Sequence, residues 1–193
     1  MVLASTSPRR RELLAQHGLT FRVEASGVEE HADGWPPREL CQRNAELKAT
    51  DTAMRFPDAV VIGADTIVAA GGTIYGKPGT LTEARRILEN LCGRVHEVLT
   101  GVCVIQWSSK RKCLFTDSTR VKFRPLADVD LDAYLRDVHT LDKAGAYAAQ
   151  EDDGRLIEQL EGSMSNVVGL PMERLIAALR EHFPEAARET ENL

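Results

Sequence analysis

The chain begins with residues that could hold an anion at the start of a helix. A short apolar stretch runs into Ser5-Thr6-Ser7, followed by Pro8 and three arginines. Ser7 is typical of a helix N-cap, and Pro8 of the first helical turn. Cations at a helix N-terminus oppose the helix dipole unless an anion lies nearby. We therefore expect Ser7, Arg9 and Arg10 to bind a phosphate chain rather than to form a solvated basic turn.

Asp65 interrupts a near-continuous apolar strand predicted over residues 59–70. A carboxylate there costs free energy unless it is paired, hydrogen-bonded or bound to a metal. The following Gly71-Gly72 predicts a hairpin whose return strand leads to Lys77. With a three-residue loop, Asp65 and Lys77 are diagonal neighbours on one face; with a Gly-Gly loop, Thr66 faces Lys77 instead. The sequence leaves both registers open, and a structural salt bridge at the sheet edge explains the pair equally well.

Other polar residues are weaker candidates when each is taken alone. Glu29 or Glu30 could join Asp65 around a divalent cation, because Mg²⁺ prefers oxygen ligands, although loop glutamates are ordinarily solvated. Asp142-Lys143 leads into small residues, where Gly145 lets the backbone approach another segment closely. The Gln150 amide could read a base edge with a donor and an acceptor, but a lone glutamine is ordinarily a surface side chain. The sequence 162–171 could form a second loop-to-helix anion site, and a capped helix explains it equally well.

The elements that must position these residues are predicted from periodicity and turn signals. We predict strands over residues 2–5, 21–25, 59–70, 73–75, 96–107, 113–123 and 156–160. We predict helices over residues 8–18, over about 18 residues from Pro37, from the Thr80 cap to Gly93, near 130–138, and over 171–182. This mixture of crossovers and long hairpins predicts one α/β domain over 1–193, with a mixed twisted sheet, flanking helices and two lobes sharing the sheet. The polar tail from about residue 184 is expected to be loosely held.

Composition excludes several classes of protein. Of the 193 residues, 43% are hydrophobic and 27% are charged, and the net charge is −5. That balance argues against a nucleic-acid-binding surface and suits a local basic pocket for a small anion. No apolar run approaches the roughly 20 residues that span a bilayer, and no export signal is recognised, so we expect a cytoplasmic protein that binds no membrane. The four cysteines lack C-x-x-C spacing and are expected to be reduced thiols.

Taken together, five segments resemble the Maf family of septum-formation-inhibitor-like nucleotide pyrophosphatases. They occur in the family's order and cover nearly the whole chain: residues 3–10, 63–68, 76–78, 142–147 and 166–171. The resemblance implies a Maf/inosine-triphosphatase-like α/β fold with a cleft between two lobes. It also implies hydrolysis of nucleoside triphosphates to a monophosphate and pyrophosphate, with a homodimer as a family-level expectation.

The resemblance also implies roles for individual residues. Asp65 corresponds to the proton acceptor and Lys77 to a catalytic lysine that contacts phosphate. Glu30 matches an acidic residue that, with Asp65, holds Mg²⁺ or Mn²⁺, and Lys48 matches a further basic residue lining the cleft. The remaining substrate-binding positions are Ser7, Arg9, Arg10, Thr66, Lys143 and Gln150.

Three of these positions bear on specificity. Arg9, Thr66 and Gln150 look like the branch of the family that acts on dTTP and UTP. The branch that acts on 7-methyl-GTP tends to carry Trp in place of Arg9 and Glu in place of Gln150. One departure lies beside the last position, where Ala148-Ala149-Gln150-Glu151 replaces the family's usual Gly-Ile-Gln-Gly. A 7-methyl-GTP pyrophosphatase, or a nucleotide-binding regulator of cell division with little turnover, remain the alternatives.

Overall fold

The computed structural model describes residues 1–32 and 34–188. The strands are β1 Val2–Leu3, β2 Arg22–Val23, β3 Val61–Ala70, β4 Thr73–Tyr75, β5 Val95–Gln106, β6 Arg111–Phe123 and β7 Ile157–Glu161. The helices are α1 Pro8–Gln16, α2 Pro37–Arg55, α3 Leu81–Leu91, α4 Asp128–Asp137, α5 Met164–Val168, α6 Met172–His182 and α7 Pro184–Arg188. Short 3₁₀ helices span Ala144–Ala146 and Ala149–Glu151. None of the helices in the described part is long and apolar enough to cross a membrane.

The strands form one seven-stranded sheet in the order β2-β1-β3-β5-β6-β7, with β4 paired to β3. β1 runs parallel to β2 and β3, whereas β3–β4 and β6–β7 are antiparallel. The predicted α/β class with a mixed sheet and flanking helices is therefore confirmed. The chain divides into two compact units: a first with residues 1–65, 100–117 and those from 169 onward, and a second with residues 66–99 and 118–168.

In the first unit, α2 packs unusually close to the sheet because two strand positions have no side chain. A Cβ on Gly63 would lie 2.4 Å from the Ala45 carbonyl oxygen and 2.7 Å from the Ala49 nitrogen. A Cβ on Gly101 would lie 2.4 Å from the Cys41 carbonyl oxygen. These approaches bring one edge of α2 against the residues that follow Gly63 on β3.

We expect Gly63→Ala to destabilise the protein by about 1–3 kcal/mol or more, because the helix backbone would have to move away from the strand. The measurement is the free energy of unfolding in urea, followed by circular dichroism. Gly27→Ala is the matched control, since a Cβ there meets no atom within 4 Å. Equal stability of the two variants would contradict this explanation of the close packing.

The hairpin register left open by the sequence is settled within the second unit. Val68 pairs with Tyr75, and Ala70 pairs with Thr73, so the loop is the two-residue Gly71-Gly72. Both glycines have positive φ, at +56° and +82°, as a primed hairpin turn requires. The three-residue loop is therefore wrong. The pairing ends at Tyr75; two further residues in the same register would put Lys77 opposite Thr66 rather than beside Asp65. Asp65 and Thr66, as neighbours on β3, face opposite sides of the strand.

The tail differs from the sequence expectation. Residues 184–188 form α7, and Ala186 is buried in the same core cluster as Phe183 and Leu179. Apolar contacts with α6 outweigh the polar composition on which a loosely held tail was predicted. The rest of the predicted tail, residues 189–193, lies outside the described residues.

Candidate active site

Asp65 is buried near the middle of β3, and only 7% of its surface is exposed. The Lys48 ammonium donates to its Oδ1 at 2.9 Å, and the Asn44 amide donates to its Oδ2 at 3.1 Å. Both donors lie on α2, one helical turn apart, so they reach the carboxylate from one face of the helix. An ion pair and a hydrogen bond thus compensate the cost of placing a carboxylate in an apolar strand.

Lys48 connects Asp65 to Glu30. Its ammonium lies 2.9 Å from Glu30 Oε1 and also donates to the Ala64 carbonyl at 3.3 Å. With Asp65, these acceptors match the three N–H groups of one ammonium. Lys48 is buried, whereas the Glu30 side chain is 48% exposed. The cluster therefore has one buried acid, one accessible acid and a buried cation between them.

Arg10 brings the start of α1 to the same place. Its guanidinium donates to the carbonyls of Ala64 and Gly169, each at 2.8 Å, and to Ser5 Oγ at 3.3 Å. Burial lowers the pKa of Arg10, while the charges of Asp65 and Glu30 act to raise it. Because an arginine pKa starts far above neutrality, the guanidinium stays charged. Arg10 and Lys48 thus share the carbonyl of Ala64, next to Asp65.

The predicted start of α1 is confirmed. Ser7 is the N-cap, and its hydroxyl accepts from the Arg10 backbone N–H at 3.5 Å. Pro8 occupies the first helical position. The first turn contains no acidic residue, so the positive end of the helix dipole is not neutralised by its own sequence. Arg9 follows on this turn and is half-buried.

The other predicted residues belong to the second unit. The Gly145 N–H donates to the Gly76 carbonyl at 3.2 Å, which brings the segments of Lys77 and Lys143 together. Gly145 has φ +74°, and a Cβ there would lie 2.9 Å from a methyl group of Val68, so this close approach requires glycine. Lys77 is exposed, whereas Lys143 is buried.

Lys143 and Gln150 have local partners in this unit. The Lys143 ammonium lies 2.8 Å from Asp142 Oδ1 and also donates to the His139 carbonyl. Gln150 is exposed on the second 3₁₀ helix, and its amide donates to Glu151 Oε1 at 3.3 Å. Thr66 is half-buried on β3. A ligand of Lys143 would have to compete with Asp142, whereas Gln150 is accessible.

Two buried residues, Cys41 and His96, are of types that can act as a nucleophile or a base. Burial raises the pKa of Cys41 to about 11, so its thiol is neutral near pH 7. Burial lowers the pKa of His96 to about 4, and its Nε2 is hydrogen-bonded to the Tyr147 hydroxyl at 3.0 Å. Cys41 is therefore a poor nucleophile and His96 a weak base near pH 7.

The Glu30 and Asp65 carboxylates suit a hard divalent cation by donor type. Within residues 1–32 and 34–188, no group of three or more His, Cys, Asp or Glu could by itself hold a metal ion. Glu30 Oε1 and Asp65 Oδ1 nevertheless share one cation, because each lies 2.9 Å from the Lys48 ammonium. Mg²⁺ is commonly held by one or two carboxylates, with water and substrate phosphates completing its shell. The residues present fit such an ion if Lys48 moves aside.

Asn44 is the site residue that sequence reasoning missed. It is 2% exposed, and besides Asp65 its side chain binds both backbone groups of His31. The available signal was its position four residues before Lys48, which places both polar side chains on one face of α2. The other buried residues of this helix include Leu40, Ala45 and Ala49.

The chain is similar to known proteins over nearly its whole length. The family model described as Maf-like protein matches residues 1–182. A protein of Pelotomaculum thermopropionicum named dTTP/UTP pyrophosphatase is 43% identical over 182 residues, covering 94% of this chain and 95% of the relative. A protein of Anaeromyxobacter dehalogenans with the same name is 45% identical over 183 residues, covering 93% and 92%. The structure of a HAM1 protein from Coxiella burnetii covers 63% of this chain and 71% of that chain, with 14% identity and a TM-score of 0.42, a likeness too distant to carry a conclusion.

Proposed function

Because the chain belongs to the Maf family, we propose that it is a nucleoside triphosphate pyrophosphatase that hydrolyses dTTP and UTP to the monophosphate and pyrophosphate. The observation that carries the proposal is the cluster in which Arg10, Lys48 and Asp65 converge beside the capped start of α1. A buried acid next to two buried cations and a helix N-terminus suits a reaction that needs a base and a bound phosphate chain.

In this proposal Asp65 accepts a proton from a water molecule whose oxygen attacks the α-phosphorus. The bond from that phosphorus to its bridging oxygen breaks, and pyrophosphate leaves. General-base assistance of this kind contributes about 10²- to 10⁴-fold. Oδ2 of Asp65 accepts from the Asn44 amide, and Oδ1 accepts from the Lys48 ammonium. Oδ1 becomes available to the water when Lys48 turns to the substrate phosphates.

Charge stabilisation is the second contribution. Arg10, Lys48 and Lys77 supply positive charge to the triphosphate, with the Ser7 hydroxyl and the first turn of α1 as hydrogen-bond donors. In phosphoryl transfer most of the catalysis comes from positioning and charge stabilisation. Arg10 is held by two backbone carbonyls at 2.8 Å, so its guanidinium is oriented before any substrate binds. Lys143 also binds the triphosphate in this proposal, and it gives up its contact with Asp142 to do so.

We include Mg²⁺ or Mn²⁺, held by Glu30 and Asp65, in the proposal. When bound, the ion lowers the pKa of a coordinated water and shields the two acids from the phosphates. Lys48, which now neutralises both acids, is then available for the substrate. We also propose that the protein is cytoplasmic and forms a homodimer.

Base selection rests on Arg9, Thr66 and Gln150. Uracil and thymine present a 4-keto acceptor and an N3–H donor, which a glutamine amide can complement. Because Glu151 can only accept, it favours the rotamer in which the Gln150 NH₂ group points toward it. The amide oxygen is then available for the N3–H of the pyrimidine.

We expect Gln150→Ala to lower the ratio of kcat/KM for UTP to that for CTP by about 10-fold, because one complementary contact is lost. The measurement is a panel of dTTP, UTP, CTP and 7-methyl-GTP, with and without Mg²⁺ or Mn²⁺, scored for monophosphate and diphosphate products. Gln159→Ala, which alters an exposed glutamine on β7, is the control.

The same panel separates the alternatives. A preference for 7-methyl-GTP would assign the chain to the other branch, and a diphosphate product would contradict a pyrophosphatase. Nucleotide binding without metal-dependent release of pyrophosphate would instead support a regulator with little turnover.

A further inference from the structure

The side chain of Asn44 joins two parts of the first unit that the reaction needs at fixed positions. Its Oδ1 accepts from the His31 N–H at 2.8 Å, and its Nδ2 donates to the His31 carbonyl at 3.0 Å. The same Nδ2 donates to Asp65 Oδ2 at 3.1 Å. The orientation of the amide is fixed by these partners, because a carboxylate and a carbonyl only accept and a backbone N–H only donates.

The segment held by Asn44 carries Glu30, the residue next to His31. Between β2 and α2 the described residues form neither helix nor strand, so side-chain contacts must hold this loop. Elsewhere it is held at exposed positions: Asp51 accepts from the Gly27 N–H at 3.1 Å, and Arg55 donates to the Ala25 carbonyl at 2.7 Å.

The direct ion pair of Glu30 with Lys48 is too exposed to fix the loop alone. The Glu30 side chain is 48% exposed, and solvent screening leaves such ion pairs little net stabilisation. The Asn44 amide is buried, so breaking its paired hydrogen bonds to His31 would leave buried polar groups unsatisfied. The position of Glu30 therefore depends more on Asn44 than on its own ion pair.

We propose that Asn44 is a positioning residue that holds the Glu30-bearing loop and the Asp65 carboxylate in one arrangement. The consequence for catalysis rests on the proposed function, whereas the loop contact does not. Two substitutions separate these tasks: aspartate keeps an acceptor for the His31 N–H but has no donor for Asp65, and leucine has neither.

The test compares Asn44→Leu and Asn44→Asp in the full chain, with Thr52→Val as control. Thr52 lies two turns further along α2 and is equally buried, so its variant reports the effect of removing a polar group from this helix face. The Thr52 hydroxyl accepts from Arg55, which in the variant keeps its contacts with Asp51 and the Ala25 carbonyl. Two readouts are needed: hydrogen exchange of the His31 amide without nucleotide, and kcat and KM for UTP over a range of Mg²⁺ concentrations.

For Asn44→Leu we expect faster exchange of the His31 amide and a 10- to 100-fold loss in kcat or in apparent Mg²⁺ affinity, the usual effect of removing a residue that orients a ligand. For Asn44→Asp we expect the His31 amide to stay protected against exchange. We expect kcat or the apparent Mg²⁺ affinity to fall by the same 10- to 100-fold, because the donor to Asp65 is lost and a second negative charge is placed beside it. Thr52→Val should lower only the thermal midpoint.

Unchanged kcat and Mg²⁺ dependence in both folded Asn44 variants would overturn the proposal, as would unchanged His31 exchange in Asn44→Leu. If the unmodified protein releases no pyrophosphate, the proposed function fails instead. The exchange measurement then still decides whether Asn44 holds the loop.

Discussion

Asp65→Asn is expected to reduce pyrophosphate release by about 10²- to 10⁴-fold while leaving the fold intact. Asparagine keeps the size and shape of the side chain but cannot accept the proton of the attacking water. Lys48 loses one anionic partner and keeps Glu30 and the Ala64 carbonyl, so its buried charge is not left alone. The measurement is the steady-state rate of pyrophosphate release from dTTP and UTP, together with thermal unfolding.

Asp58→Asn is the matched control, because it makes the same chemical change at an exposed position of the same unit. If the Asp65→Asn variant retains near-normal turnover, Asp65 is not the group that accepts the proton of the attacking water. A variant that is inactive because it is unfolded would be recognised by its circular dichroism spectrum, and Asp65→Glu then provides a second substitution that keeps the acid.

Lys77→Ala is expected to raise the activation barrier by about 2–4 kcal/mol, which corresponds to about 30- to 900-fold in kcat/KM. The lysine is exposed and lies outside the strands, so its removal should not change the thermal midpoint. The loss should appear mainly in kcat, because the charge matters most where negative charge develops on the leaving pyrophosphate. Steady-state kinetics with UTP provide the measurement.

Lys122→Ala is the control for Lys77→Ala, since it removes a lysine from a surface ion pair with Glu158 in the same unit. Lys77→Arg should recover part of the rate because it restores the charge but not its position. Equal kinetics for Lys77→Ala and the unmodified chain would show that Lys77 does not contact the reacting phosphates.

Much of the site could be predicted from the sequence where local rules decide the structure. The cap at Ser7 and the proline at the first helical position fix where α1 begins, and the Thr80 hydroxyl caps α3 as its spacing indicates, at 3.1 Å from the Glu83 nitrogen. An acid within the apolar run of β3 could be recognised as needing a partner, and that partner is Lys48.

What the sequence left open depends on contacts between distant segments. The hairpin register could not be chosen because both loop lengths suit Gly71-Gly72. The contact between Asn44 and Asp65 depends on how closely α2 packs against β3, which Gly63 allows. The helix α7 forms because Ala186 is buried against the core, a contact that polar composition does not reveal.

The most direct test of the account is hydrolysis of UTP in water labelled with ¹⁸O, with the products analysed by mass spectrometry. The account predicts that the label enters uridine monophosphate and that pyrophosphate stays unlabelled, because water attacks the α-phosphorus. Label in pyrophosphate, or formation of a nucleoside diphosphate and labelled phosphate, would contradict the arrangement of Asp65, Lys48 and Arg10 around the α-phosphate.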